Sequence, residues 1–377
     1  MTSFRAAAAG ALTLAAACAR GTTPASAPAA APAGVRTAGA SACTFTNPVM
    51  RGADPSIVRA GGSYYLVQSR DTAIVVYQAA RLEDLGRARP VTVWTPPDTG
   101  WNHTNIWAPE LVHLDGRWYV YYAAAYRRGQ PFVDQRTGVL RSAGDSPLGP
   151  YEDLGQLYTG DGPAPAGGPS AARPSVWAID MTVGRINGRL YAVWSGWEHP
   201  AATDKTPQLL YIAPMSSPTA IAGPRRVLSA ANAAWERGPE LDLQEGPEFL
   251  AHGGDTFLVY STRDSWLPTY ELGMLRYKGN GADGRPLDPT DSASWTKSAG
   301  PVFASGNGVI GTGHNTFTTS PDGRQDWLVY HAKVGNEPGW RRDVHMQPFG
   351  WRADGAPDFG TPVPNGAAVA VPSGECG

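Results

Sequence analysis

Residues 111–124 read LVHLDGRWYVYYAA. An apolar run stops at Asp115-Gly116, a dipeptide suited to a tight hairpin turn, and resumes as an aromatic-rich run, so the stretch predicts two antiparallel strands. The plan recurs as IVRAGGSYYLVQS from Ile57, VGRINGRLYAVWSG from Val183, FLAHGGDTFLVYST from Phe249 and FTTSPDGRQDWLVYHA from Phe317. The turn glycines Gly62, Gly116, Gly188, Gly254 and Gly323 lie roughly 55 to 70 residues apart, room for a four-stranded sheet plus loops in each repeat. Five such sheets around an axis make an all-β, five-bladed propeller with the active site expected at one end of the central channel. Residues 43–377 are expected to form this one domain.

The rest of the composition agrees. The chain has 377 residues, 42% hydrophobic and 17% charged, with a net charge of −2, which excludes disorder as the main state and gives no electrostatic footprint for nucleic acid. Its 45 Gly, 34 Pro, 13 Trp, 15 Tyr and 9 Phe suit many short strands joined by turns. Residues 1–18 read as an export signal, with Arg5 ahead of a short apolar run from Ala6 to Ala17. Cys18 after Leu14-Ala15-Ala16-Ala17 resembles a bacterial lipoprotein cleavage site, although Ala15 stands where such sites favour Leu; the alternative is ordinary secretion. Residues 19–42, made of Ala, Pro, Thr, Ser and Gly with little else, read as a low-complexity tether. The expectation is a bacterial protein, monomeric, that is secreted or lipid-anchored at the membrane.

Three cysteines leave an odd one in an exported chain. The count resolves if Cys18 is lipidated or removed and Cys43 pairs with Cys376, which requires the ends of the fold to meet, as first and last blades of a ring do. Two free surface thiols are the alternative.

Upstream of each turn stands a distinctive polar residue: Asp54, Glu110, Asp180, Glu245 and His314, six to nine residues before the turn glycine. At matching phases of inner strands these would converge on one end of the channel. Two carboxyl groups held apart, one protonated and one ionised, can hydrolyse a glycosidic bond, and a third nearby raises the pKa of the acid because like charges resist joint ionisation. Trp101, Trp107, Trp177, Trp197 and Trp266 lie in or near the same segments, where they either stack on sugars or pack between blades.

At these residues the chain resembles glycoside hydrolase family 43, from roughly Asn47 to Pro364. NPVMRGADPSIVRAGGSYYLV is similar to the family's opening blade and NIWAPELVHLDGRWYVYYAA to its second; WAIDMTVGRINGRLYAVWSGWE, EGPEFLAHGGDTFLVYS and GTGHNTFTTSPDGRQDWLVYHA match the next three. The resemblance implies Asp54 as general base, Glu245 as general acid and Asp180 as the carboxylate that tunes and orients the acid, with inversion at the anomeric carbon. It also implies His314 near an axial ion, calcium or sodium held largely through water, and no cofactor for the chemistry itself. Glu248 is expected to be a structural partner on the other face from Glu245, and Glu110 to be mainly structural. YIAPMSSP at Tyr211, SGWE at Ser195 and PDGRQDWLVYHA at Pro321 are most similar to members acting on α-L-arabinofuranosyl linkages, particularly exo-acting ones on α-1,5-arabinan. Substrate contacts are expected from Trp107, Trp197, His314 and Arg342. His345 stands where relatives often carry an Arg before Gln347, which leaves Arg342 as the candidate substitute. A β-xylosidase or endo-arabinanase of the same fold, or a non-catalytic carbohydrate-binding propeller, are the competing readings. A retaining enzyme on fructosides is disfavoured, because Ala53-Asp54-Pro55-Ser56 and Ala178-Ile179-Asp180-Met181 differ from the motifs of that class.

Overall fold

The computed structural model describes residues 43–70 and 73–376. The expectations for the export signal, Cys18 and the tether lie outside the described residues. Four of the five predicted hairpins close with two-residue turns. Ala60 pairs with Ser63, Leu114 with Arg117, Ile186 with Arg189 and His252 with Asp255. The two residues between carry positive φ in each case, as at Asn187 (51°) and Gly188 (77°), the backbone whose twist matches that of paired strands. The fifth repeat departs. Its strands join between Thr319 and Asp326, and Ser320 and Asp322 side chains cap the longer loop.

Each hairpin becomes the inner half of an antiparallel sheet. Blade 1 runs Ser56–Ala60, Ser63–Arg70, Ala73–Ala79 and Val91–Trp94; blade 2 runs Thr104–Leu114, Arg117–Ala125, Arg136–Ser142 and Tyr151–Gln156. Blade 3 is Ala178–Ile186, Arg189–Gly196 and Leu209–Ser217, edged by two short strands, Ala220–Ile221 and Arg226–Ser229. Blade 4 is Gln244–His252, Asp255–Thr262, Glu271–Tyr277 and Trp295–Lys297. Blade 5 has only three principal strands of its own, Ile310–Thr319, Asp326–Lys333 and Arg342–Trp351, and its edge position is taken by Met50–Arg51, with Met50 opposite Val344. The segment expected to open blade 1 therefore belongs in part to blade 5.

That strand exchange closes the ring. Thr44–Thr46 pairs with Ala368–Ala370, and Cys43 is bonded to Cys376 with Cα atoms 5.9 Å apart, so the expected disulfide forms. Apolar clusters fill every gap between neighbouring blades: Val67 and Trp118 join blades 1 and 2, Tyr121 and Trp194 blades 2 and 3, Val193 and Tyr260 blades 3 and 4, Phe257 and Tyr330 blades 4 and 5, and Leu66 and Trp327 blades 5 and 1. Burying each such side chain stabilises the fold by about 1.5 to 3 kcal/mol, so packing holds the blades around the axis. Among the described residues, no helix is long and apolar enough to cross a membrane.

Candidate active site

In or just ahead of the inner strand of every blade the regular geometry breaks at a matching position, with a second break at Asn105 in blade 2 and at Gly311 in blade 5. Asp54, Ala108, Asp180, Gly246 and His314 have φ of 51°, 40°, 54°, 53° and 50°. In blades 2 to 5 the pairing with the second strand slips across that residue. A bulge of this kind re-aims the side chains around it, and a left-handed backbone at a non-glycine residue carries a cost of order 1 kcal/mol that the surrounding sheet must offset.

The bulge corrects the expected phase. Glu110 and Glu245 do not occupy the position of Asp54, Asp180 and His314; Ala108 and Gly246 do. Glu245 precedes its bulge residue and faces the cavity, whereas Glu110 and Glu248 follow theirs by two residues, in register with Ser56, Thr182 and Thr316. There Thr182 donates to Glu110 Oε1 at 3.3 Å, and Glu110 contacts Glu248 and Ser56. Burial, ahead of any partner, raises both carboxyls of this second layer.

Asp54, Asp180, Glu245, His314 and Arg342 line one cavity of about 590 Å3, within the usual range of about 300 to 1,000 Å3 for ligand sites. Asp54 is surrounded by nitrogen. Oδ1 lies 3.2 Å from Nδ1 of both His314 and His331 and 3.8 Å from Arg342 Nη1. His331 Nδ1 also lies 3.1 Å from the Asp54 backbone nitrogen. Burial alone would raise the Asp54 carboxyl, but His314, His331 and Arg342 outweigh it and hold it well below the ordinary carboxylate range. Burial also lowers His314 and takes His331 down to about 3, so both rings are neutral near pH 7 and Arg342 is the standing positive charge beside Asp54.

Glu245 has the opposite surroundings. Burial pushes it up to about 7, against a 2.9 Å hydrogen bond from the Tyr270 hydroxyl to Oε1 and against the charge of Arg342. Asp180 is pushed well above its ordinary value by burial and then by the charges of Glu245 and Asp54, while its Oδ2 accepts the Gly246 N–H at 3.0 Å. Asp180 and Glu245 titrate together, because a second negative charge in that space is costly.

Tyr270 and His331 were missed by sequence reasoning. Each stands outside the inner strands, and the Tyr270 ring stacks on His331 at 5.6 Å, so the partner of Glu245 touches the partner of Asp54. Arg342 lines the cavity, whereas His345 is buried against Tyr330 and does not. Trp107, Trp177 and Trp266 line the cavity; Trp197 does not, being fully buried and stacked on Trp177 at 4.5 Å, and Trp101 packs on Tyr122. Trp197 is thus corrected from a substrate contact to a support for Trp177. The donor set does not fit a directly ligated ion either. His314 turns Nδ1 to Asp54, and among the described residues no three His, Cys, Asp or Glu side chains gather to hold a metal.

The profile of glycosyl hydrolases family 43 matches residues 45–357. An extracellular exo-alpha-(1->5)-L-arabinofuranosidase of Streptomyces avermitilis is 34% identical over 86% of this chain and 64% of its own length. Alpha-L-arabinofuranosidase 43 of Humicola insolens is 33% identical over 84% of this chain and 63% of its own. The chain therefore spans a little under two thirds of these two relatives. The crystal structure of an alpha-L-arabinofuranosidase from Lactobacillus brevis superposes with a TM-score of 0.73 at 30% identity, covering 86% of this chain and 98% of that one.

Proposed function

The chain belongs to glycosyl hydrolase family 43, and from that premise we propose that it is an exported, inverting α-L-arabinofuranosidase that releases L-arabinofuranose from α-1,5-linked arabinan or its oligosaccharides. The observation that carries this reading is the pair of opposed carboxyls in one cavity, Glu245 raised to about 7 and Asp54 held ionised. The names of its relatives supply the sugar and support export.

In the proposed reaction Asp54 accepts a proton from water as the water oxygen attacks the anomeric carbon. Glu245 gives its proton to the glycosidic oxygen as the bond from that oxygen to the anomeric carbon breaks, so one water is consumed and two sugars are released. Asp180, fixed by the Gly246 N–H, orients the acid and keeps its proton in place up to neutral pH. Arg342 keeps Asp54 charged and ready to act. No cofactor takes part; an axial calcium or sodium ion, if bound, would touch His314 through water and enter no step.

The test is the product profile on linear α-1,5-arabinan. L-arabinose alone from the first time point is the expected result. A ladder of oligomers would make the protein an endo-arabinanase, release from β-xylosides alone would make it a xylosidase, and binding without release would leave a carbohydrate-binding propeller.

A further inference from the structure

Beside the carboxyls, two loops from neighbouring blades meet at the cavity mouth. In blade 4 the loop after Thr262 carries Trp266; in blade 5 the loop after Lys333 carries Trp340. Both indoles line the cavity, with ring centroids 5.6 Å apart. Trp340 is 54% exposed, an unusual position for the largest apolar side chain.

The exposure is built in. The Gly339 N–H donates to the Trp266 carbonyl at 2.9 Å, Lys333 Nζ donates to the Gly339 carbonyl at 2.7 Å, and Arg342 Nη2 donates to the Ser265 carbonyl at 3.0 Å. The Arg342 guanidinium lies 5.1 Å from the Trp340 ring centroid, so one ring is held by a fixed loop and a cation while much of its surface stays uncovered. Fixing an aromatic ring before a ligand arrives removes part of the ordering cost of binding.

Charge around the two rings is balanced. Lys205 Nζ sits 4.2 Å from the Trp266 centroid and 2.9 Å from Glu240, and Arg342 faces Asp54. A flat apolar face with paired charges suits the C–H face of a neutral sugar better than an acidic one.

Position supplies the role. Ser265, next to Trp266, lines the cavity beside Glu245, the group that must reach the leaving oxygen. We propose that Trp340, backed by Trp266, forms a leaving-group subsite that stacks the first neutral sugar ring beyond the scissile bond. The inference rests on the glycosidase reading above and adds to it that the protein is built for a sugar leaving group.

The test compares Trp340→Ala with the unaltered protein on two substrates, α-1,5-arabinotriose and methyl α-L-arabinofuranoside, whose leaving group is too small to reach the platform. A fall in kcat/KM of about five- to tenfold on arabinotriose, with the methyl glycoside unchanged, is expected. An equal fall on both, or none on either, overturns the proposal. Trp266→Ala, which removes the backing ring, should show the same preference at smaller size, and its failing to do so would also count against the platform. If the unaltered protein cleaves neither compound, the glycosidase reading fails separately. Quenching of tryptophan fluorescence by arabinotriose, lost in Trp340→Ala, would then still uphold the platform, and its absence in the unaltered protein would overturn it.

Discussion

Asp54 of blade 1 and Glu245 of blade 4 line one cavity, yet one is held ionised and the other is pushed up to about 7. Burial acts on both in the same direction, so burial cannot separate them. The neighbours do. Asp54 has His314, His331 and Arg342 around Oδ1 and they outweigh burial, whereas Tyr270, Arg342 and Ser265 do not outweigh it at Glu245, which also faces the charge of Asp54. In this propeller the protonation state of a carboxyl is set by what the adjoining blades present to it.

The largest break in that comparison comes from removing each carboxyl. Asp54→Ala should lower kcat by about 100- to 10,000-fold on arabinan and on an activated aryl arabinofuranoside alike, since attack by water is needed whatever departs. Glu245→Ala should lose as much on arabinan but far less on the aryl substrate, whose leaving group needs little help from a proton. If Glu248→Ala showed the selective loss instead, the acid would lie in the second layer with Glu110.

Asp180→Asn removes the carboxyl that titrates together with Glu245. The alkaline limb of kcat/KM, expected near 7 in the unaltered protein, should move to lower pH. An unmoved limb would mean that Asp180 only orients the acid.

Tyr270→Phe should shift the same limb the other way and by less. The Tyr270 hydroxyl stabilises the carboxylate form of Glu245, so its loss raises the pKa of the acid and extends activity to higher pH. A fall in activity with no shift would reduce Tyr270 to packing against His331.

The smallest effect on the site should follow from opening Cys43–Cys376. Cys43→Ser with Cys376→Ser should destabilise the fold by roughly 6 kcal/mol at most in the chain-entropy view, read from denaturant unfolding, with the pH profile unchanged. A displaced profile would show that the opposed protonation states depend on ring closure as well as on adjoining side chains.

The ring itself was legible in the sequence because each hairpin is local. Asn187-Gly188 or Asp115-Gly116 between apolar runs needs no distant partner to be read. The phase of the inner strands was obscured by the bulges. Counting back from the turn glycine reaches Asp54, Ala108, Asp180 and Gly246 at the same distance of eight residues, and Ala108-Pro109 and Gly246-Pro247 repeat the pattern of Asp54-Pro55, yet the eye is drawn to the charges at Glu110 and Glu245. Tyr270 and His331 carried no such signal, because their roles arise only where second strands and outer loops of different blades approach. The strand exchange at Met50–Arg51 was hidden for the same reason: two residues are too short to show a period.

The stereochemistry of the first turnover tests the roles of Asp54 and Glu245 most directly. Proton NMR of an aryl α-L-arabinofuranoside during early hydrolysis should show the β anomer of L-arabinofuranose first, with the α anomer growing in only through later equilibration. That result requires Asp54 to activate water on the face opposite Glu245. The α anomer as first product would contradict it, making Asp54 a nucleophile and the pair of carboxyls a retaining apparatus.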